Sequence, residues 1–364
     1  MEMENDIIYK SNDDYKKFIE EKYRDYKEVP YGLDITKKMD LVGICYSTWF
    51  TKILSMIPGK PPIISEALEG KIEFHNEGAF HFWAEPALGF YRSDDKEIIR
   101  THMTQLSELG VDYIMIDNTN TACFWHETCN GTDWDSYVTK PCTALLDTIV
   151  EMRAEGKKTP YVVFWTNVND RERWGVVNDT CEEFVFQEKW KDCFVYMEGK
   201  PFMLITNIIE GAPAYDLTLR YQWGLRGQKL PNEWSFLEII NTPGLDKDGY
   251  TEQMCVCTAS QQTYMSLTET SKGRDGGRFL NLQWQNAFKY RPRFITLTWW
   301  NEWCAQLFYG ENKRVLFVDN FTPEHSRDIE PMKGGHGDLY YRWTKQYIEA
   351  YKNHESCPML VEDK

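Results

Sequence analysis

The sequence predicts an α/β fold, a (β/α)8 TIM barrel, on three observations. Short apolar β-runs alternate with helical stretches from about residue 39 onward, the pattern of a parallel sheet. The chain has 364 residues, enough for a barrel of ~250 residues with insertions. The stretch Phe294 to Trp303, FITLTWWNEW, starts as an alternating strand and ends in three indoles around one carboxylate and one amide. Such a barrel gathers its chemistry at the C-terminal ends of its strands.

Residues 1–38 read as a polar, helical N-terminal extension, and residues 39–364 as one barrel domain. The expected strands are Leu41 to Ser47, Gly78 to Ala84, Tyr113 to Asn118, Tyr161 to Asn167 and Pro201 to Thr206. A sixth lies at Leu219 to Gly224 or at Trp234 to Ile239, followed by Gln253 to Thr258 and Phe294 to Trp300. Asp94 and Asp95 cap a helix running to Leu109, which Gly110 stops. Pro141 opens a helix to Ala154, Gly276 to Tyr290 forms another, and Leu339 to Tyr351 is an amphipathic closing helix. Cys193 to Met203 reads as strand-turn-strand, with Glu198 and Gly199 at the turn. A doubly wound sheet would want a Gly-rich phosphate loop after its first strand, and YSTWFTK supplies none.

Composition narrows the function classes. The net charge is 41 minus 56, or −15, with no basic block, so nucleic acid is not an expected partner. No apolar run approaches the ~20 residues needed to span a bilayer, so no membrane is expected either. Aromatic residues make up 15% of the chain, with 14 Trp and 21 Tyr, which suits a ligand surface built on ring stacking. The acidic N-terminus does not read as a signal peptide, and Cys45, Cys255 and Cys257 sit inside expected strands as small buried hydrophobes. These features favour a cytoplasmic protein; the alternative is a secreted one whose leader has been removed. Cys123 and Cys129 read as free thiols, with one loop disulfide as the alternative. The sequence has no HxH, no HExxH and no Cys/His zinc spacing, so neither metal nor cofactor is expected. Asp319, Asn320 and Asp328 could hold calcium but read better as a turn.

The strand ends yield a consistent set of candidates. Tyr46, Glu85, Tyr91, Asn118, Trp165 and Asn167 join Trp299, Trp300, Asn301 and Trp303 as expected contacts for a neutral, hydroxyl-rich ligand. Glycoside hydrolysis takes two carboxyl groups, one at the anomeric centre and one protonating the leaving oxygen. Glu302 is the natural first member, and Asp117, Glu330 and Glu85 compete for the second role. Each has a plainer reading: Asp117 as a loop cap, Glu85 as the residue that orients the WAEPALGFY loop, and the tryptophans as core.

The order of four motifs resembles the glycoside hydrolase family 99 and family 71 group of endo-acting α-glycanases. They are PALGFYRSDD with its following helix, VYMEGKPFMLI, NEW at 301–303 and RDIEP at 327–331. The family 99 motif runs Asn-Glu-Trp-x-Glu-Gly, with the first Glu a base on the sugar 2-hydroxyl and the second the acid/base. The resemblance gives Glu302 the first role, but the second falls on Ala305, and about twenty residues, Leu307 to Ser326, are inserted before DIEP. The expectation is a glycoside hydrolase acting on an α-linked glycan, with Glu302 essential and Asp117 or Glu330 as its partner. The alternative is a carbohydrate-binding barrel that lost catalysis with its acid/base.

Overall fold

The structure is a computed structural model that describes residues 10–73, 76–120, 134–171, 173–223, 230–261, 263, 265 and 270–362. Cys123 and Cys129 lie outside the described residues.

An 11-stranded, mostly parallel sheet organises the chain. The Leu41–Tyr46 strand lies between Phe294–Thr298 and Tyr113–Asn118, parallel to both. Parallel pairing continues through Tyr161–Thr166, Lys200–Ile205, Thr218–Gln222 and Glu233–Trp234 on one side. On the other side Thr251–Cys257 pairs parallel to Phe294–Thr298. Both places offered for the sixth strand are therefore strands.

The two ends of this parallel array meet through side chains. The Gln253 carboxamide accepts from Ser235 N at 2.6 Å and donates to Ser235 O at 3.0 Å, as a neighbouring peptide unit would. Trp234 Nε1 donates to Glu252 Oε2 at 2.8 Å, and Arg220 clamps the same carboxylate through two bonds. No backbone ladder joins Glu233–Trp234 to Thr251–Cys257 among the described residues.

The central strands, such as Leu41–Tyr46 and Tyr161–Thr166, are largely apolar because both sheet faces are covered, and side chains alternate between them. From Tyr113–Asn118, Ile114 and Ile116 enter the core that contains Met103, Leu106, Leu146 and Tyr347 of the flanking helices. Tyr113 and Met115 pack in a second core with Cys45, Trp165, Cys255 and Trp299. Gly43 makes room for this inner core, since a Cβ there would come within 2.2 Å of the Tyr113 ring.

Local signals explain the helix limits. Asp95 accepts from the Glu97 and Ile98 amides to start Lys96–Leu109, and Gly110 ends it at φ 89°. Pro141 sits in the first turn of Lys140–Ala154, Arg278–Tyr290 follows the left-handed Gly276 and Gly277, and Leu339–Lys352 packs at the end of the chain. In the N-terminal segment Ser11 caps the Asn12–Lys22 helix, which buries Tyr15 and Ile19. Val195–Met197 and Lys200–Ile205 form the expected hairpin, with Glu198 and Gly199 both at positive φ.

The Gly78 to Ala84 segment departs from expectation. Only Phe80–Phe82 is extended, and it pairs antiparallel with Cys304–Tyr309, outside the parallel sheet. Cys304–Tyr309 in turn pairs antiparallel with Val315–Phe317. Residues just after NEW and the inserted segment that follows thus build a three-stranded antiparallel layer with Phe80–Phe82. The physical reason is pairing: the alternating pattern of Phe80 to Phe82 reads as a strand wherever its partner lies.

Candidate active site

The site is a cavity of about 260 Å³ at the C-terminal ends of the strands. Its polar lining residues are Asp117, Asn118, Asn120, Gln306 and Asp319. Trp49, Ile53, Phe80, Tyr137, Cys304, Ala305 and Val318 complete the wall. No Lys, Arg or His is among the described lining residues.

Asp117 reaches the cavity because it is the last inward-pointing residue of its strand, on the same face as Tyr113 and Met115. Its Oδ1 accepts from the Thr119 amide at 2.8 Å, an Asx turn that fixes the carboxyl. Burial pushes its pKa up to about 6, and the nearby Asp319 charge adds to the shift, against the Thr119 bonds and Arg327. Trp49, half-buried beside it, donates its indole N–H to Asp117 O at 3.2 Å.

Asp319 comes from the inserted segment, just after the last strand of the antiparallel layer. Its Oδ1 accepts from Arg327 Nη2 at 3.0 Å. The same nitrogen donates to Glu302 Oε2 at 2.5 Å, so one buried guanidinium joins two carboxylates. Asn320 Nδ2 donates to Glu302 Oε2 at 3.0 Å and to Glu302 O at 2.8 Å. Glu302 is 2% exposed and does not line the cavity. Burial pushes its carboxyl well above the usual range, against the pull of Arg327, whose own pKa the carboxylates raise.

Asp328 lies beneath this pair. It accepts from Glu302 N at 2.5 Å and from Trp83 Nε1 at 2.7 Å, and burial pushes its pKa up to about 7. Asp319, Asn320 and Asp328, weighed for calcium, are thus engaged with a guanidinium, a backbone amide and an indole. No group of three or more His, Cys, Asp or Glu is arranged to hold a metal ion among the described residues.

Glu330 sits apart in a closed network. It accepts from Tyr91 OH at 2.7 Å and Trp303 Nε1 at 2.5 Å, and its Oε1 lies 3.0 Å from His102 Nε2. His102 Nδ1 is 2.9 Å from Tyr46 OH, which places Tyr46 and Tyr91 in the same network. Asn301 ties the network to the first strand end, accepting from Ser47 N at 2.8 Å and donating to Ser47 O at 3.1 Å.

The three tryptophans of the motif are core residues in this structure. Trp303 stacks on Trp83 at 4.5 Å and 14°, Trp300 packs edge-on against His102, and Trp299 packs near Trp165 and Phe236. All three are no more than 3% exposed, and Trp165 is equally buried. Glu85 pairs with Lys333, and Asn167 donates to Thr119 O; neither lines the cavity. Of the residues singled out in the sequence, the cavity therefore gathers Asp117 and Asn118.

Sequence reasoning did not assign Asp319 or Arg327 to the site. The available signal was the insertion itself: a segment that begins four positions past the motif, close to a strand end, starts near the candidate site.

No protein-family model and no curated protein sequence matches the chain. Among solved structures, the chain is similar to the GH99 endo-α-mannosidase of Bacteroides thetaiotaomicron in complex with bis-tris-propane, at 15% identity and a TM-score of 0.56. That alignment covers 87% of this chain and 98% of the other. A second structure of the enzyme gives a TM-score of 0.55, also at 15% identity, with 88% and 99% covered. A glycoside hydrolase-like protein superposes with a TM-score of 0.47, at 11% identity over 89% and 97%. The first two carry the conclusion: this mixed α/β chain, with its large and mostly parallel sheet, has a fold like that of a GH99 endo-α-mannosidase.

Proposed function

We propose that the chain is a glycoside hydrolase acting on an α-linked glycan or glycoside, with Asp117 as the proton donor and Asp319 as its partner carboxylate. One observation carries this reading. Ala305, where the family 99 motif has its second glutamate, lines the same cavity as Asp117 and Asp319. In this reading Asp117 takes over the proton-donor role of the carboxylate missing from position 305, and the insertion supplies Asp319 as its partner.

The environments of the two groups suit a division of labour. Asp117 is held near pKa 6 by burial, so it keeps its proton in mildly acidic solution and can pass it to a leaving oxygen. Asp319 is oriented by the Arg327 guanidinium, so its position relative to the anomeric centre is fixed before substrate arrives. Glu302 acts through Arg327 as a positioning residue. Asn118 and Asn120 offer amides to sugar hydroxyls, and Trp49 offers an aromatic wall.

Turnover of a panel of α-linked oligosaccharides by the wild type, Asp117→Asn and Asp319→Asn tests this reading. Each variant should lose about 10²–10⁴-fold in kcat while still binding sugar. Wild-type activity in either variant would remove that residue from the mechanism. A second reading, a binding barrel without catalysis, draws on Ala305 and on the enclosure of Glu302 by Arg327 and Asn320. It predicts saturable sugar binding by the wild type and no product from any linkage.

A further inference from the structure

We infer that the loops after the last two parallel strands hold a small inorganic monoanion of chloride's size, bound by the Arg274 guanidinium with the His336 imidazole beside it. Arg274 follows the Thr251–Cys257 strand, and His336 follows Phe294–Thr298. Loops in this place are a recurrent anion site of barrel folds. The site is distinct from the candidate active-site cavity, which neither residue lines.

Arg274 is a buried cation, 1% exposed, whose hydrogen bonds go to neutral oxygens. Its Nε donates to Pro323 O at 3.0 Å, and its Nη2 donates to Ser326 Oγ at 2.8 Å and to Asp328 O at 2.6 Å. Nη1 is buried with no hydrogen-bond acceptor. Burial pushes the pKa of Arg274 down to about 10, against the support of Tyr340, Asp328 and Glu324. The group therefore stays charged at neutral pH. A buried charge without a counter-ion is costly, and an anion at Nη1 would remove that cost.

His336 belongs to the same cluster. The Arg274 Cζ lies 4.1 Å from the centre of the Tyr340 ring, and the His336 ring lies 4.9 Å from it. Burial, with the Arg274 charge next, pushes the His336 pKa down to about 3. A neutral imidazole keeps one N–H to donate. Both ring nitrogens are buried, and neither has a hydrogen-bond partner; the nearby Gly337 backbone does not reach bonding geometry. The Leu339–Lys352 helix starts just beyond, with no side chain capping its first amides, so its positive end adds to the guanidinium charge. Asp338, the carboxylate at that helix start, pairs with Arg342. Gly334 and Gly337 have positive φ, and a Cβ on either would meet no atom within 4 Å, so the backbone on both sides of His336 is open to approach. The buried nitrogens call for a small guest, and one guanidinium calls for one negative charge.

The test is anomalous diffraction from crystals of the full chain soaked in sodium bromide, joined to thermal melts in chloride against gluconate at equal ionic strength. A bromide peak is expected within hydrogen-bonding reach of Arg274 Nη1 and a His336 ring nitrogen. Chloride should raise the melting temperature by at least about 2 °C, because an ion held only by the folded chain stabilises it. His336→Leu removes a side chain with no protein partner, so it should fold, and it should raise the chloride concentration for half the effect by at least about threefold. Absence of a bromide peak at this cluster overturns the inference. A peak there without a chloride effect on melting marks an adventitious ion only and overturns it as well. A shift given by sulfate or phosphate and not by chloride overturns the choice of a small monoanion. A chloride effect unchanged in His336→Leu overturns the part assigned to His336.

Discussion

Arg327 Nη2 lies 2.5 Å from Glu302 Oε2, and neither side chain is more than 3% exposed. This pair changes what the NEW motif means in this chain. The Glu302 carboxylate at this strand end is bonded to a guanidinium that also reaches Asp319.

The first prediction concerns that anchor. Removing one partner of a buried ion pair leaves the other charge uncompensated, at a cost of about 3–5 kcal/mol. Glu302→Gln should lower the urea midpoint accordingly and should slow turnover even in the folded fraction, because Arg327 would no longer hold Asp319. An unchanged midpoint would show that Asp319 alone satisfies Arg327.

The second prediction follows from the raised pKa of Asp117. Between the ordinary value of 3.8 and about 6, the folded protein keeps a proton that the unfolded chain has released. Stability therefore falls as pH rises through that window, and the full cost applies above it. The shift of about two units corresponds to roughly 3 kcal/mol. Asp117→Asn should be stabilised by a sum of that order relative to wild type at pH 8, and by little at pH 4. Equal differences at the two pH values would contradict the buried, protonated carboxyl. If Asp117 donates the proton, wild-type turnover should also fall as pH rises past about 6.

Glu330 yields the third prediction. Its carboxylate serves Tyr91, Trp303 and His102, so Glu330→Ala leaves buried polar groups without their acceptor. Each such group costs about 1–3 kcal/mol, and the variant should lose several kcal/mol of stability or fail to fold. Glu330→Gln keeps the shape and should recover part of the loss. Thermal melts of both variants against wild type measure this. A catalytic role would instead leave Glu330→Gln folded as wild type and inactive.

The parallel sheet was legible because its central strands are largely apolar and because Asp95, Gly110, Pro141 and Gly276 mark the helix limits. Phe80 to Phe82 was legible as a strand, but its neighbours were not, since pairing with residues more than two hundred positions away leaves no local trace. The same limit hid the second carboxylate of the proposed mechanism. Asp319 reads as a turn residue until the hairpin before it is folded back over the Asp117 strand end. Burial of Trp299, Trp300 and Trp303 was equally hidden, because a sugar-stacking indole and a core indole have the same sequence signature. Asp117 stood out as a candidate because an acidic residue closing the run YIMID has no packing reason to be there.

The carboxamide of Gln253, set against the peptide of Ser235, shifts part of the specification of the sheet from main chain to side chain. Backbone ladders accept almost any residue and so tolerate drift in sequence. A join made by Gln253 and Glu252 is instead written in particular letters. Replacing either would let two neighbouring strands slide in register with little loss of packed volume, a fault of alignment rather than of filling. At that seam a substitution removes bonds that no backbone ladder among the described residues replaces.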